Sequence, residues 1–131
     1  MKSFSVETSA RTEVVDVTPE VREAVVESDV VDGVCLVFVG HTTAGVVVNE
    51  AESRLLDDVV DYLGDVVPER ERRHDELDGN ADSHLRALLV GNDVCLPVEG
   101  GDVALGTWQS VLLVECDGPR SRDVHVEVVG V

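Results

Sequence analysis

The run SVLLVEC, Ser110–Cys116, limits the fold more than any other stretch of this chain. On a strand it places Ser110, Leu112, Val114 and Cys116 on one face, in line with Trp108. Val111, Leu113 and Glu115 fall on the other face, in line with Gln109. Both faces are apolar in the middle, so the strand needs a packed layer on each side. VCLVFV, Val34–Val39, is two-sided in the same way.

Further strands read from SFSVET, EVVDV, the VVV that follows HTTAG, VCLPV, VAL and RDVHVEVVGV. Three helices complete the pattern. DVTPEVREAVVESD carries Thr18 as N-cap and Pro19 at the first helical position. NEAESRLLDDVVDYLGDVVP begins near Asn49 or Glu50 and is stopped by Pro68. NADSHLRALLVG is capped by Asp78 or Asn80 and ended by Gly91, with Ala81 and Leu85 turned to the core and His84 and Leu88 along its border. Glu69–Gly79 reads as a polar loop. These elements predict an α+β fold, a mixed or antiparallel β core with about three helices, in a single domain over residues 1–131. Three short helices cover one face of a sheet of about seven strands. The other face calls for a second layer or another subunit, so a homo-oligomer is expected.

Charge narrows the partners. Against 27 acidic residues stand 10 basic ones, a formal net charge of -17, and the only lysine is Lys2. Such a field excludes nucleic acid and anionic membrane as partners. Acid excess with many valines and no isoleucine fits a salt-loving, high-GC host, because molar salt shortens the Debye length to about 3 Å and quenches self-repulsion. With no spanning segment and no apolar core to the N-terminal MKSFSVETSA, the expected location is the cytoplasm. Cys35, Cys95 and Cys116, each inside an apolar run, read as three reduced, buried thiols.

Walker A, G-x-S-x-G, H-E-x-x-H and dinucleotide glycine patterns are absent. Histidine, carboxylate and arginine chemistry remains. His41, His74 and His84 could converge on a divalent ion with Glu50 or Glu115, since zinc takes imidazole and carboxylate from separate segments. Each has a plainer reading: His84 as a core histidine with one hydrogen bond, His74 as a solvent-exposed loop residue. His125, among valines, reads as a solvated strand residue. Arg120 and Arg122 suit a phosphate by paired hydrogen bonds, or pair with Asp117 and Asp123 in a salt-bridged turn. Arg70, Arg72 and Arg73 read as a solvated loop. Thr42, Thr43 and the backbone of HTTAG could hold an anion or cap a turn.

DVTPEV, HTTAGVVVNE, NADSHLRALLVG and LGTWQSVLLVECDGPRSR, in this order and spacing, resemble the YjbQ-like family, described as secondary thiamine-phosphate synthase enzymes. The likeness runs nearly end to end and implies a β-rich α+β fold commonly assembled as a homotrimer. It also implies a polar site, at a subunit boundary, built from His41, Thr42, Thr43, Asn49, Glu50, His74, Asn80, His84, Trp108, Gln109, Glu115, Asp117, Arg120 and Arg122. His41, Glu50, His84, Glu115 and Asp117 take the catalytic roles, and His41, His74 and His84 the metal. Thr42, Thr43, Asn49, Asn80, Trp108, Gln109, Arg120 and Arg122 bind the substrate, a small phosphorylated molecule. The implied reaction joins a pyrimidine diphosphate to a thiazole phosphate with release of pyrophosphate, aided by zinc or magnesium. A zinc-dependent hydrolase and a non-enzymatic phosphorylated-ligand binder are the competing readings. The segment ERERRHDEL departs from the family in placing arginines where an aromatic often precedes the histidine.

Overall fold

A computed structural model describes all 131 residues. In chain order the elements are β1 (Lys2–Glu7), β2 (Glu13–Asp16), α1 (Thr18–Glu27), β3 (Gly33–Val39), β4 (Ala44–Asn49) and α2 (Ser53–Val66). There follow a 3-10 turn at Arg73–Glu76, α3 (Ala81–Val90), β5 (Asp93–Glu99), β6 (Asp102–Val103), β7 (Ser110–Glu115) and β8 (Ser121–Gly130). The strands form two antiparallel sheets, one ordered β1-β8-β3-β5-β6 and the other β2-β7-β4. The single sheet of about seven strands is thus replaced by a pair. The fold class, α+β with three helices, is as expected.

The two-sided strands explain the layers. Val111 and Leu113 of β7 join Ala44, Val46, Val37, Val124 and the α1 residues Val21 and Val25 in one buried core. On the reverse of β7, Val114 and the adjoining Cys116 pack with Leu63 of α2 and Ala87 of α3. Each such side chain contributes about 1.5–3 kcal/mol on burial, which is why β7 can be apolar on both faces. The five-stranded sheet keeps an open outer face, where Val34, Leu36 and Phe38 are 39 to 41% exposed.

Several boundaries differ from the sequence reading. The N-cap of α1 is Val17, and Asp16 Oδ1 accepts from the Thr18 amide at 2.9 Å and hydroxyl at 2.6 Å. Thr18 Oγ1 instead accepts from Val111 N–H at 2.8 Å, tying α1 to β7. α2 starts at Ser53, because β4 runs on to Asn49 opposite Ser110 and Glu52 caps the helix, accepting from Leu55 N–H at 2.7 Å. Asn80 holds the N-cap position of α3 but spends its side chain elsewhere, and Asp75 Oδ1 accepts from Ala81 N–H at 2.9 Å.

The buried face of α3 is Ala81, Asp82, Ser83, Arg86 and Ala87, whereas Leu85, Leu88 and Leu89 are exposed. Pairing makes this possible. Arg86 donates twice to Val67 O, at 3.1 and 2.8 Å, and faces Asp82 at 3.5 Å, so its charge is compensated inside the protein. Cys35 and Cys116 are buried, and burial pushes both thiols up to about 11. Cys95 is exposed on the outer face of β5, against expectation. His125 is half-buried rather than solvated, bonded to Ser3 Oγ at 2.7 Å and stacked near Phe38. No helix is long and apolar enough to cross a membrane.

Candidate functional site

The ends of four strands and the first turns of α3 meet at one edge of the molecule. β7 delivers Glu115, fully buried, and β8 delivers Arg122, 3% exposed. Arg122 Nε donates to Glu115 Oε1 at 2.8 Å, and Nη2 bonds Oε2. Nη2 also reaches Thr43 Oγ1 at 2.8 Å and Thr43 O at 3.1 Å. Thr8 Oγ1 donates to Glu115 Oε1 at 2.7 Å, and the Asp117 amide to Oε2 at 3.1 Å. Burial works to raise the Glu115 pKa, but the bonds from Arg122, Thr8 and the Asp117 amide outweigh it and hold the carboxyl below its ordinary value. This closed pair forms the floor of the site.

Above it, Asp117 accepts from Asn80 Nδ2 at 2.9 Å and from Arg120 Nη2 at 3.0 Å. Arg120 Nε also donates to Asp117 O at 2.8 Å. The salt-bridged reading of the DGPRSR segment therefore holds for Arg120, while Arg122 pairs with Glu115 and not with Asp123. His41 and Thr42 of the β3–β4 loop line a cleft of 410 Å³ with His84, Leu88 and Asn92. His84 in turn meets His74 edge to face, ring centroids 4.6 Å apart. His74 is thus a member of the cluster and not a free loop residue, and its Nε2 is buried without a hydrogen-bond partner.

His41 Nε2 accepts from Asp123 N–H at 3.0 Å. A nitrogen that accepts carries no proton, so neutral His41 keeps its proton on Nδ1 and acts as a donor there. Burial first, and then the charge of Arg122, lowers its pKa below the ordinary 6.5. The folded chain binds this proton less readily than the unfolded chain does. The stability it contributes is whole above about pH 6.5 and is lost as the pH falls below that value. Urea unfolding is expected to show falling stability between about pH 7.5 and 5.5, and His41→Asn to flatten that slope.

The zinc triad does not assemble in one chain. The lone pair of His41 Nε2 is taken by the backbone, and no group of three His, Cys, Asp or Glu side chains is placed to hold an ion. Four expected members also lie elsewhere. Asn49 pairs with Ser110, at the end of β7 opposite Glu115, and its Oδ1 accepts from Glu50 N–H at 2.8 Å. Glu50 borders a groove beneath α2. Gln109 Oε1 accepts from Gly106 N–H at 2.8 Å, closing the turn before β7. Trp108, on the same turn, is 73% exposed. β7 is shorter than the run TWQSVLLVECD because that turn ends it. Thr8, which no motif singles out, is distant in the chain, yet its hydroxyl supports Glu115 and accepts from Arg120 N–H at 2.9 Å.

The family described as UPF0047 protein YjbQ-like matches residues 2–131. This chain belongs to that family. A UPF0047 protein of Archaeoglobus fulgidus is 47% identical over 127 residues, 96% of this chain and 98% of the relative. The Bacillus subtilis UPF0047 protein YugU is 32% identical over 131 residues, 99% of each. Among crystal structures, a hypothetical protein of Aeropyrum pernix K1 superposes with a TM-score of 0.96 at 43% identity, covering 99% of this chain and 98% of that one. A YbjQ-like protein of unknown function from Sulfolobus solfataricus P2 does so with a TM-score of 0.96 at 39% identity, covering 99% and 96%. The YjbQ-like architecture is therefore secure from end to end.

Proposed function

We propose that the cleft binds a small phosphorylated ligand and that its histidines move protons on it. One observation carries this reading: the backbone N–H groups of His41, Thr42 and Thr43, two of them cleft-lining residues, make no hydrogen bond within the protein. Successive unpaired amides are a ready anion cradle. The Nδ1–H of His41 is a further donor, and the Nη1 of Arg122 is left unused by the Glu115 pair. His84, backed by His74, lies across the cleft as the group to deliver or take a proton.

The finer reading is the secondary thiamine-phosphate synthase reaction that the sequence resemblance implies. The thiazole nitrogen attacks the methylene carbon of the pyrimidine diphosphate, the carbon–oxygen bond breaks, and pyrophosphate leaves with the electron pair. The amides of His41–Thr43, with Arg122 behind them, stabilise the charge that develops on the leaving group. A divalent ion, magnesium rather than zinc, would come with the diphosphate, held by phosphate oxygens and a carboxylate such as Asp117. The setting we assign is the cytoplasm of a high-salt host, and the working form a homotrimer.

Incubating the protein with both precursors and magnesium should release pyrophosphate above a His41→Ala control. His84→Ala should lower the rate by about 10²–10⁴, the usual share of a general acid or base. Precursor binding seen as a thermal shift, with no release, would leave the non-enzymatic binder as the reading.

A further inference from the structure

Every lysine and arginine of this chain forms an ion pair with one of its carboxylates, except Arg70, Arg72 and Arg73. With 27 acidic residues against 10 basic ones, three neighbouring arginines without a partner call for a reason. The carboxylates closest in sequence are engaged elsewhere. Glu69 pairs with Arg11 at 3.6 Å, and Asp75 accepts from the backbone amides of Arg72 and Ala81, each at 2.9 Å. Glu71 and Glu76 border a neighbouring recess, which holds Arg73 as well.

Arg70 and Arg72 are the only charged residues that line a groove of 460 Å³ between the end of α2 and α3. Its other walls are Val66, Val67 and Pro68 on one side and Leu85, Leu88 and Leu89 on the other. Apolar walls with a few convergent polar groups, in a volume of about 300–1,000 Å³, are the makings of a small-molecule site. Arg72 is held in place, its Nη2 donating to Pro68 O at 2.7 Å, while its Nε is buried without a hydrogen-bond partner. A buried N–H without an acceptor is costly. Two guanidinium groups on one wall also repel each other, and an anion between them turns that repulsion into attraction. In molar salt the field of the whole chain is screened beyond about 3 Å, so only direct contact with these groups selects what binds.

We propose that this groove binds a small organic oxyanion, an apolar ring or short chain that carries a phosphate or a carboxylate. The oxyanion sits at Arg70 and Arg72 and accepts from Arg72 Nε, and the apolar body lies against Leu85 and Leu89. A bare anion leaves the leucines uncovered, and a cation meets the wrong charge. The groove shares only Leu88 with the cleft. It is a second site, and the inference does not rest on the reading of the first.

The test titrates the full chain in molar potassium chloride with phenyl phosphate, phenylacetate, inorganic phosphate and benzylammonium. Methyl NMR signals of Val67 and Leu85 report the groove, and those of Ala44 and Ala87 the cleft. Phenyl phosphate or phenylacetate should shift Val67 and Leu85 saturably, and the tighter of the two names the anion. Inorganic phosphate and benzylammonium should bind at least about tenfold more weakly, the first for want of apolar burial and the second by charge. Arg70→Ser/Arg72→Ser should weaken the anions at least about tenfold, the equivalent of one lost charged hydrogen bond. Leu85→Glu should do the same by setting a carboxylate in the groove. Arg70→Ser alone, which breaks no hydrogen bond of the protein, gives the same direction of change should the double variant fail to fold. The proposal is overturned if neither organic anion shifts Val67 and Leu85, if inorganic phosphate or benzylammonium binds as tightly, or if the variants bind the anions as the wild type does.

Discussion

Replacing Arg122 with methionine is expected to cost the fold about 3–5 kcal/mol, the usual price of leaving a buried charge without its partner. Glu115 is fully buried and takes two of its four bonds from Arg122, the others coming from Thr8 and the Asp117 amide. Without the guanidinium its carboxyl must remain charged in a poor environment or take up a proton. The penalty should therefore shrink as the pH falls and Glu115 is protonated, and the double variant Glu115→Gln/Arg122→Met should recover part of it. Urea unfolding of the two single variants and the double gives the coupling directly. Since a typical domain has only about 5–15 kcal/mol in hand, Arg122→Lys serves as the milder member of the series: it keeps the charge and loses the two-pronged fit. An Arg122→Met protein within about 1 kcal/mol of the wild type would return Arg122 to the role of a free ligand-binding group.

That experiment addresses what the sequence could not convey. The apolar doubling of Val111–Val114 announced a strand packed on both faces, and the structure supplies a second sheet on one side and α2 with α3 on the other. Composition alone could not reveal which of two arginines was structural. Arg120 and Arg122 sit in the same motif, yet one is exposed beside Asp117 and the other is sealed against Glu115. The α3 periodicity misled for a related reason. Of the two positions expected to face the core, Ala81 is buried but Leu85 is exposed, and the face that packs on the protein carries Arg86 and Asp82, acceptable there because each is partnered. In the sequence an exposed leucine carries the same signal as one buried in the core. The polar cluster was legible in its residue types, but its geometry was not. His41, His74, His84, Asn80 and Asp117 converge, while Trp108, Gln109, Asn49 and Glu50 are carried to the far end of the same strands.

Gly45→Ala is expected to lower stability by about 2–4 kcal/mol and to disturb the cleft at the same time, through overpacking and one lost hydrogen bond. A β-carbon at Gly45 would stand 2.2 Å from Gly91 O and 2.7 Å from Val90 Cγ1. Val90 could turn aside, but the carbonyl is backbone, and it already accepts from Val46 N–H at 3.0 Å. Relief must come by moving the C-terminal end of α3 away from β4. Ala44 on that strand and Ala87, Leu88 and Gly91 on or after that helix all line the cleft, so the same displacement widens it and shifts His84 relative to His41. Gly64→Ala is the matched control, because a β-carbon there meets nothing within 4 Å and alanine favours the helix by about 1 kcal/mol. Urea unfolding together with precursor binding distinguishes the outcomes. A stable Gly45→Ala protein that binds as the wild type does would mean that β4 and α3 are not in rigid contact, and that the cleft geometry does not depend on it.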